Sequence, residues 1–202
     1  LDAVAAKLKC STQTIVADLT CDTDLERVAE ALQGVDLLIN NAGVGSFGPF
    51  NKLNTGPQVA MVDLNCRAPI FLASKALEHM GADDHGCVVN IASGMSFEPM
   101  PFFSTYSATK AFLLNWSLGV HAELRGSGLR MVAICPGTIH TGFAKAASVP
   151  IDDILGASLV TGSVEEVAQC TIHAIKHNKA KVITGFTHRI VQFFNRLAPS
   201  AL

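Results

Sequence analysis

Short, continuous apolar runs alternate along this chain with longer stretches in which apolar positions recur every three or four residues. The runs at 14–18 (TIVAD), 35–39, 87–92, 130–135 and 181–184 predict strands, each closed by polar, glycine or proline residues. The helical pattern predicts helices over 1–9, 23–33, about 58–80, about 103–125 and 163–177. Thr23-Asp24-Leu25-Glu26 and Ser163-Val164-Glu165-Glu166 read as capping boxes opening two of them. The strand runs are mostly apolar rather than alternating, as expected of a parallel sheet buried on both faces. Single helices between strands indicate parallel crossover connections. These patterns predict an α/β fold with a doubly wound parallel sheet in one domain over 1–202, without linker or repeat. Within it, 138–162 is a long variable stretch expected to act as the substrate loop and lid.

Composition agrees with one packed domain: 49% of the 202 residues are hydrophobic and 16% charged. The formal net charge is −2 and no basic cluster occurs, which argues against a nucleic-acid partner. No apolar run reaches the roughly 18 residues that a membrane-spanning helix needs. The six cysteines are scattered without a C-x-x-C pair, reading as small buried residues in a reducing compartment, so a cytoplasmic location is expected. His173 and His177 stand four apart on one helix, but no third ligand is evident and no metal is expected. The segment 189–197 is apolar with basic flanks. It could lie on a membrane surface, or pack against the body of the protein or another subunit.

The candidate chemistry lies at the ends of the predicted strands. Tyr106 and Lys110, in TYSATK, share one helix face at i and i+4. An ammonium beside a phenol favours phenolate, so the tyrosine pKa is expected to fall below its usual value, suiting it to move a proton on or off oxygen. Taken alone, such a pair more often means a solvated lysine over an aromatic ring. Ser93 ends the 87–92 strand, Asn40-Asn41-Ala42-Gly43 ends 35–39, and Pro136-Gly137 ends 130–135. Ligands of open α/β sheets bind outside such carboxyl ends.

In order and spacing, these motifs resemble the short-chain dehydrogenase/reductase family. The match rests on NNAG at 40–43, Asn65 in DLN, Ser93, YSATK at 106–110, PGTIHT at 136–141, and Asp18 in ADLT. It implies a Rossmann-like fold and an NAD- or NADP-dependent oxidoreductase that interconverts an alcohol and a ketone or aldehyde. By that resemblance Tyr106 is the general acid/base. Lys110 tunes it and holds the nicotinamide ribose, and Ser93 donates to the same substrate oxygen. Asn65 holds a water leading to bulk solvent. Asp18 and Leu19 would meet the adenine, Asn40, Ala42 and Gly43 its ribose, and Pro136, Gly137, Ile139 and Thr141 the nicotinamide. Ser93, Met95, Phe97 and Tyr106 would contact substrate. Met100, Phe102, Phe103, Val44, Phe47 and Phe50 would help make its pocket apolar; His140 reads as a loop histidine. Family members usually pair through two long helices, here about 58–80 and 103–125, so a homodimer or homotetramer is expected.

The chain departs from the family pattern in one respect. The glycine-rich T-G-x-x-x-G-I-G turn is not among these residues, and the chain opens on what reads as the helix after the second strand. In the order 3-2-1-4-5-6, the first β-α-β unit fills the middle of the sheet. A longer polypeptide with ~40–45 further residues is therefore expected, the length of one such unit. The alternative is a non-catalytic nucleotide- or partner-binding protein on the same fold, because the phosphate-binding turn is missing.

Overall fold

In the computed structural model, residues 2–80, 85–139, 142–147 and 162–185 are described. Thr141, His140, most of the 138–162 loop and the 189–197 segment lie outside them. Four parallel strands, β1 (Leu37–Asn40), β2 (Cys87–Ile91), β3 (Arg130–Cys135) and β4 (Lys181–Ile183), make one sheet in the order β1-β2-β3-β4. The helices are α1 (Asp2–Ala5), α2 (Asp22–Glu30), α3 (Thr55–Val62), α4 (Ala68–His79), α5 (Ser104–Glu123), α6 (Phe143–Ala146) and α7 (Val164–Lys176).

Both faces of the sheet are covered, because successive side chains of a strand point to opposite sides. Val88 and Met131 pack with Leu25 and Ala29 of α2 and Leu72, Ala73 and Ala76 of α4. Trp116 and Val120 of α5 join that layer. Cys87, Val89, Val132 and Ile134 face the other way, against Ala174, Val167 and Ile175 of α7. This two-sided burial is the reason β2 and β3 read as unbroken apolar runs. The register pairs Asn40 with Asn90 and Ile91 with Ile134, bringing the carboxyl ends of three strands to one edge.

Three expectations are corrected. Residues 14–18 form no strand, and Val16 is 79% exposed. A strand needs a ladder partner, and none of the described strands pairs with 14–18. β1 is accordingly an edge strand here, with Leu37 and Ile39 exposed. The helix predicted from Thr23 begins at Asp22, with Cys21 as N-cap and no side-chain capping bond, so Thr23 sits within the first turn. The predicted 1–9 helix is limited to the single turn of α1. At α7, by contrast, Ser163 Oγ accepts the Glu166 N–H at 3.1 Å as the capping pattern requires.

The long helix expected over 58–80 is continuous from α3 to α4 but passes through one π-helical turn, Asp63–Arg67. Such turns insert an extra residue into the helix and often mark functional positions. Asn65 lies in it, fully buried.

Candidate active site

A cavity of about 280 Å³ opens at the carboxyl edge of the sheet. Gly43, Ser93, Pro136, Gly137 and Ile139 line it from the strand ends, and Tyr106 and Lys110 from α5. These residues lie far apart in the chain but share one wall because three parallel strands end there.

Each polar group has a structural reason for its place. Ser93 caps a short 3-10 turn: its Oγ accepts the Met95 N–H at 3.1 Å, and Ser96 Oγ accepts the Ser93 N–H at 3.1 Å. With an acceptor lone pair so engaged, the Ser93 hydroxyl keeps its proton for another oxygen, and it stands near enough to Tyr106 to favour the phenolate. Lys110 is buried, and its Nζ donates to the Ile91 carbonyl at 2.7 Å. Burial lowers the Lys110 pKa to about 8, against smaller opposing effects of Cys66 and Cys135.

At Tyr106 the direction is opposite to the sequence expectation. Burial raises its pKa, and the nearby Ser93 hydroxyl only partly opposes this. The Lys110 ammonium is 6.0 Å from the ring centroid and is directed at a strand carbonyl, so removal from water dominates over charge attraction.

Asn65 works through its side chain. Its Oδ1 accepts the Val44 N–H at 3.0 Å, and its Nδ2 donates to Val44 O at 2.9 Å and Thr109 Oγ1 at 3.0 Å. Thr109 in turn donates to the Tyr106 carbonyl at 2.8 Å. Asn65 thus clamps the segment after NNAG to the turn of α5 that carries the tyrosine.

The NNAG residues divide. Asn40 is buried and donates to Asn90 Oδ1 at 2.8 Å, while Asn90 donates to Ser117 Oγ at 2.8 Å, a chain of bonds from β1 through β2 to α5. Asn41 and Gly43 line the cavity, whereas Ala42 is exposed outside its lining. A Cβ at Gly43 would stand 3.1 Å from Asn65 Oδ1 and 3.3 Å from Lys110 Nζ, so a side chain there would crowd the floor of the site.

Asp18 and Leu19 lie outside the cavity lining. The Asp18 carboxylate accepts from the Thr20 N–H at 2.9 Å and the Thr20 hydroxyl at 2.7 Å, bonds that lower its pKa. Leu19 packs on the core around α2 and α4.

Among the residues expected at substrate, Met95 lines the cavity and packs with Phe103 and Tyr106. Phe97 does not. It lines a separate surface groove with Pro99 and Met100, with Lys181 Nζ 5.3 Å from its ring centroid. The 3-10 turn after Ser93 points these two neighbouring side chains apart.

Sequence reasoning missed Phe143, which stands in the site, and Gly45, which makes room for it. Phe143 of α6 lines the cavity, its ring centroid 5.1 Å from that of Tyr106. Gly45 lies beneath it, where a Cβ would fall 2.5 Å from Phe143 Cζ. The only sequence signal was the position of Phe143, just past the PGTIHT motif.

Among the described residues, no cluster of three or more His, Cys, Asp or Glu is placed to hold a metal, and no helix is long and apolar enough to cross a membrane. The His173 and His177 rings stack with centroids 4.0 Å apart.

Comparison with known proteins places this arrangement. Over 194 residues, covering 94% of the chain, it is 26% identical to 17-beta-hydroxysteroid dehydrogenase type 3 of Rattus norvegicus. The chain spans 60% of that relative's length. The fold is similar to that of a short-chain dehydrogenase from Sphingobium yanoikuyae in complex with NADPH, with a TM-score of 0.83 and 27% identity over 100% of this chain and 84% of the other. It is also similar to the bulky-bulky ketone specific alcohol dehydrogenase from Comamonas testosteroni, with a TM-score of 0.77 and 26% identity over 100% of this chain and 80% of that one. The family profile described as short chain dehydrogenase matches residues 1–150. With Ser93, Tyr106 and Lys110 gathered at the strand ends in the family's order, the chain belongs to the short chain dehydrogenase family.

Proposed function

We propose that this chain carries the catalytic part of an NAD- or NADP-dependent oxidoreductase that interconverts an alcohol and a ketone or aldehyde on an apolar small molecule. One observation carries this reading: Ser93, Tyr106 and the buried Lys110 line a single cavity at the strand ends.

The residues present fit the nicotinamide end of the cofactor. Gly43 keeps the cavity floor free of a side chain beside Lys110 and Asn65, and Pro136 and Gly137 line the same cavity just past β3. Gly43, Lys110, Pro136, Gly137 and Ile139 would hold that end, with Thr141 as a further contact. When bound, the nicotinamide supplies the hydride donor or acceptor.

The chain's own residues manage the proton and the charge. Burial keeps the Tyr106 hydroxyl protonated at neutral pH, the state that donates a proton to an oxygen gaining negative charge. Ser93 donates a second hydrogen bond to the same oxygen. Lys110, charged below about pH 8, supplies the positive field that eases the proton off Tyr106 in the oxidative direction. Asn65 acts as a positioning residue through Val44 and Thr109.

Met95, Phe103, Phe143 and Ala144 make the rest of the wall apolar. The printed names of the two relatives, a hydroxysteroid dehydrogenase and a bulky-bulky ketone specific alcohol dehydrogenase, support a substrate of the same character. A cytoplasmic location and assembly as a homodimer or homotetramer complete the proposal.

The test is Tyr106→Phe. Turnover should fall by roughly a hundredfold or more, while NADPH affinity stays within about threefold. Turnover within tenfold of wild type would sink the assignment. Cofactor binding without turnover in the wild type would favour a non-catalytic role.

A further inference from the structure

We infer that Phe143, seated over Gly45 against the ring of Tyr106, is the specificity-determining residue of this site, and that it selects substrates carrying a flat unsaturated ring beside the reacting carbon. The inference deepens the oxidoreductase reading and rests on it only for the identity of the reacting carbon.

The geometry comes from a run of aromatic rings. Phe102, Phe47, Phe103, Tyr106 and Phe143 follow one another with centroid separations of 5.7, 5.1, 6.1 and 5.1 Å. All four contacts are tilted, within the separation range that favours aromatic pairs. Phe143 brings this ladder to the cavity wall, next to the tyrosine whose hydroxyl would meet the substrate oxygen. A ligand ring beside the reacting carbon can continue the ladder against Phe143. A short alkyl chain in the same place fills volume but gains no aromatic contact.

Gly45 decides where that ring lies. A Cβ at position 45 would come within 2.5 Å of Phe143 Cζ and 3.2 Å of Phe143 Cε2, but 3.3 Å from Tyr106 Cδ2. Phe143 therefore reaches its place because position 45 lacks a side chain. The backbone of Gly45 is not in the left-handed region, so alanine is sterically acceptable to the main chain itself. The atom in its way is the far end of a side chain that can swing aside. Gly45→Ala should displace the Phe143 ring without unfolding the protein.

The experiment compares wild type, Phe143→Ala, Gly45→Ala and the double variant in the full chain. Relative kcat/KM for acetophenone and butanone is measured with NADPH or NADH, and acetophenone binding is measured separately by saturation-transfer NMR. Wild type should prefer acetophenone. Each single substitution should lower that preference roughly fivefold, and the double variant should fall no further than Phe143→Ala, since both act through one ring. An unchanged preference in Phe143→Ala with turnover intact overturns the inference. Should no form turn over, weaker acetophenone binding in Phe143→Ala than in wild type supports the ring subsite while the redox reading fails. Equal binding in the two, or none in wild type, overturns the subsite.

Discussion

Lys110 Nζ donates to the carbonyl oxygen of Ile91, the last residue of β2, at 2.7 Å. Helix α5 is thereby tied to a strand end by a charged group that burial makes hard to keep charged.

A pH dependence of stability follows. The Lys110 pKa is about 8 in the folded chain, below its ordinary value of 10.5. Between these two values the unfolded chain binds more protons than the folded one, so stability from this group rises with pH from about 8 to about 10.5. Below that window the cost of burying the charge is present in full. The stability of wild type relative to Lys110→Met should therefore increase on going from pH 7.5 to 10, by up to about 3 kcal/mol. Urea unfolding of both proteins across that range is the check; a difference independent of pH would refute it.

Asn65→Ala should destabilise the fold by about 2–4 kcal/mol, because Val44 loses the partners of both its N–H and its carbonyl, and Thr109 loses a donor. Amide exchange at the Val44 N–H should speed up more than exchange within β2. Equal acceleration at both places would mean global loosening rather than loss of a clamp.

The two helix starts differ in a way that mutation can read. Ser163→Ala removes an observed capping bond and should cost about 1 kcal/mol. Thr23→Ala should stay within about 0.5 kcal/mol, because Thr23 is not the cap of α2. A larger loss at Thr23 than at Ser163 would contradict the structure. Chemical denaturation of the two variants decides it.

The proposed assembly is tested at the helices that carry exposed apolar side chains. Val59, Val62, Ile70 and Phe112 are exposed on α3, α4 and α5. Sedimentation at micromolar concentration should show a dimer or tetramer that Phe112→Glu converts to monomer. A monomeric wild type would refute the assembly.

Much of this site was legible in the sequence. Tyr106 and Lys110 share a helix face because i and i+4 spacing is a local property. β2 and β3 were found because a strand buried on both sides is apolar at nearly every position, and Ser163 because a cap bonds to a residue three positions away.

What the tertiary structure decided depends on groups distant in the chain. Residues 14–18 have the composition of a strand but lie unpaired, since a ladder needs a partner as well as a pattern. The raised pKa of Tyr106 follows from burial, which the four-residue spacing to Lys110 does not reveal. Asn65 bonds Val44 and Thr109 across 21 and 44 residues, and Phe97 turns away from Met95 into another groove. Phe143 meets Tyr106 only because Gly45, nearly a hundred residues earlier, leaves room for its ring. Short-range pattern thus determined most of the elements and picked out the candidate groups that meet at the strand ends. Their electrostatics and the shape of the wall around them came from packing, where each contact depends on several segments meeting at once.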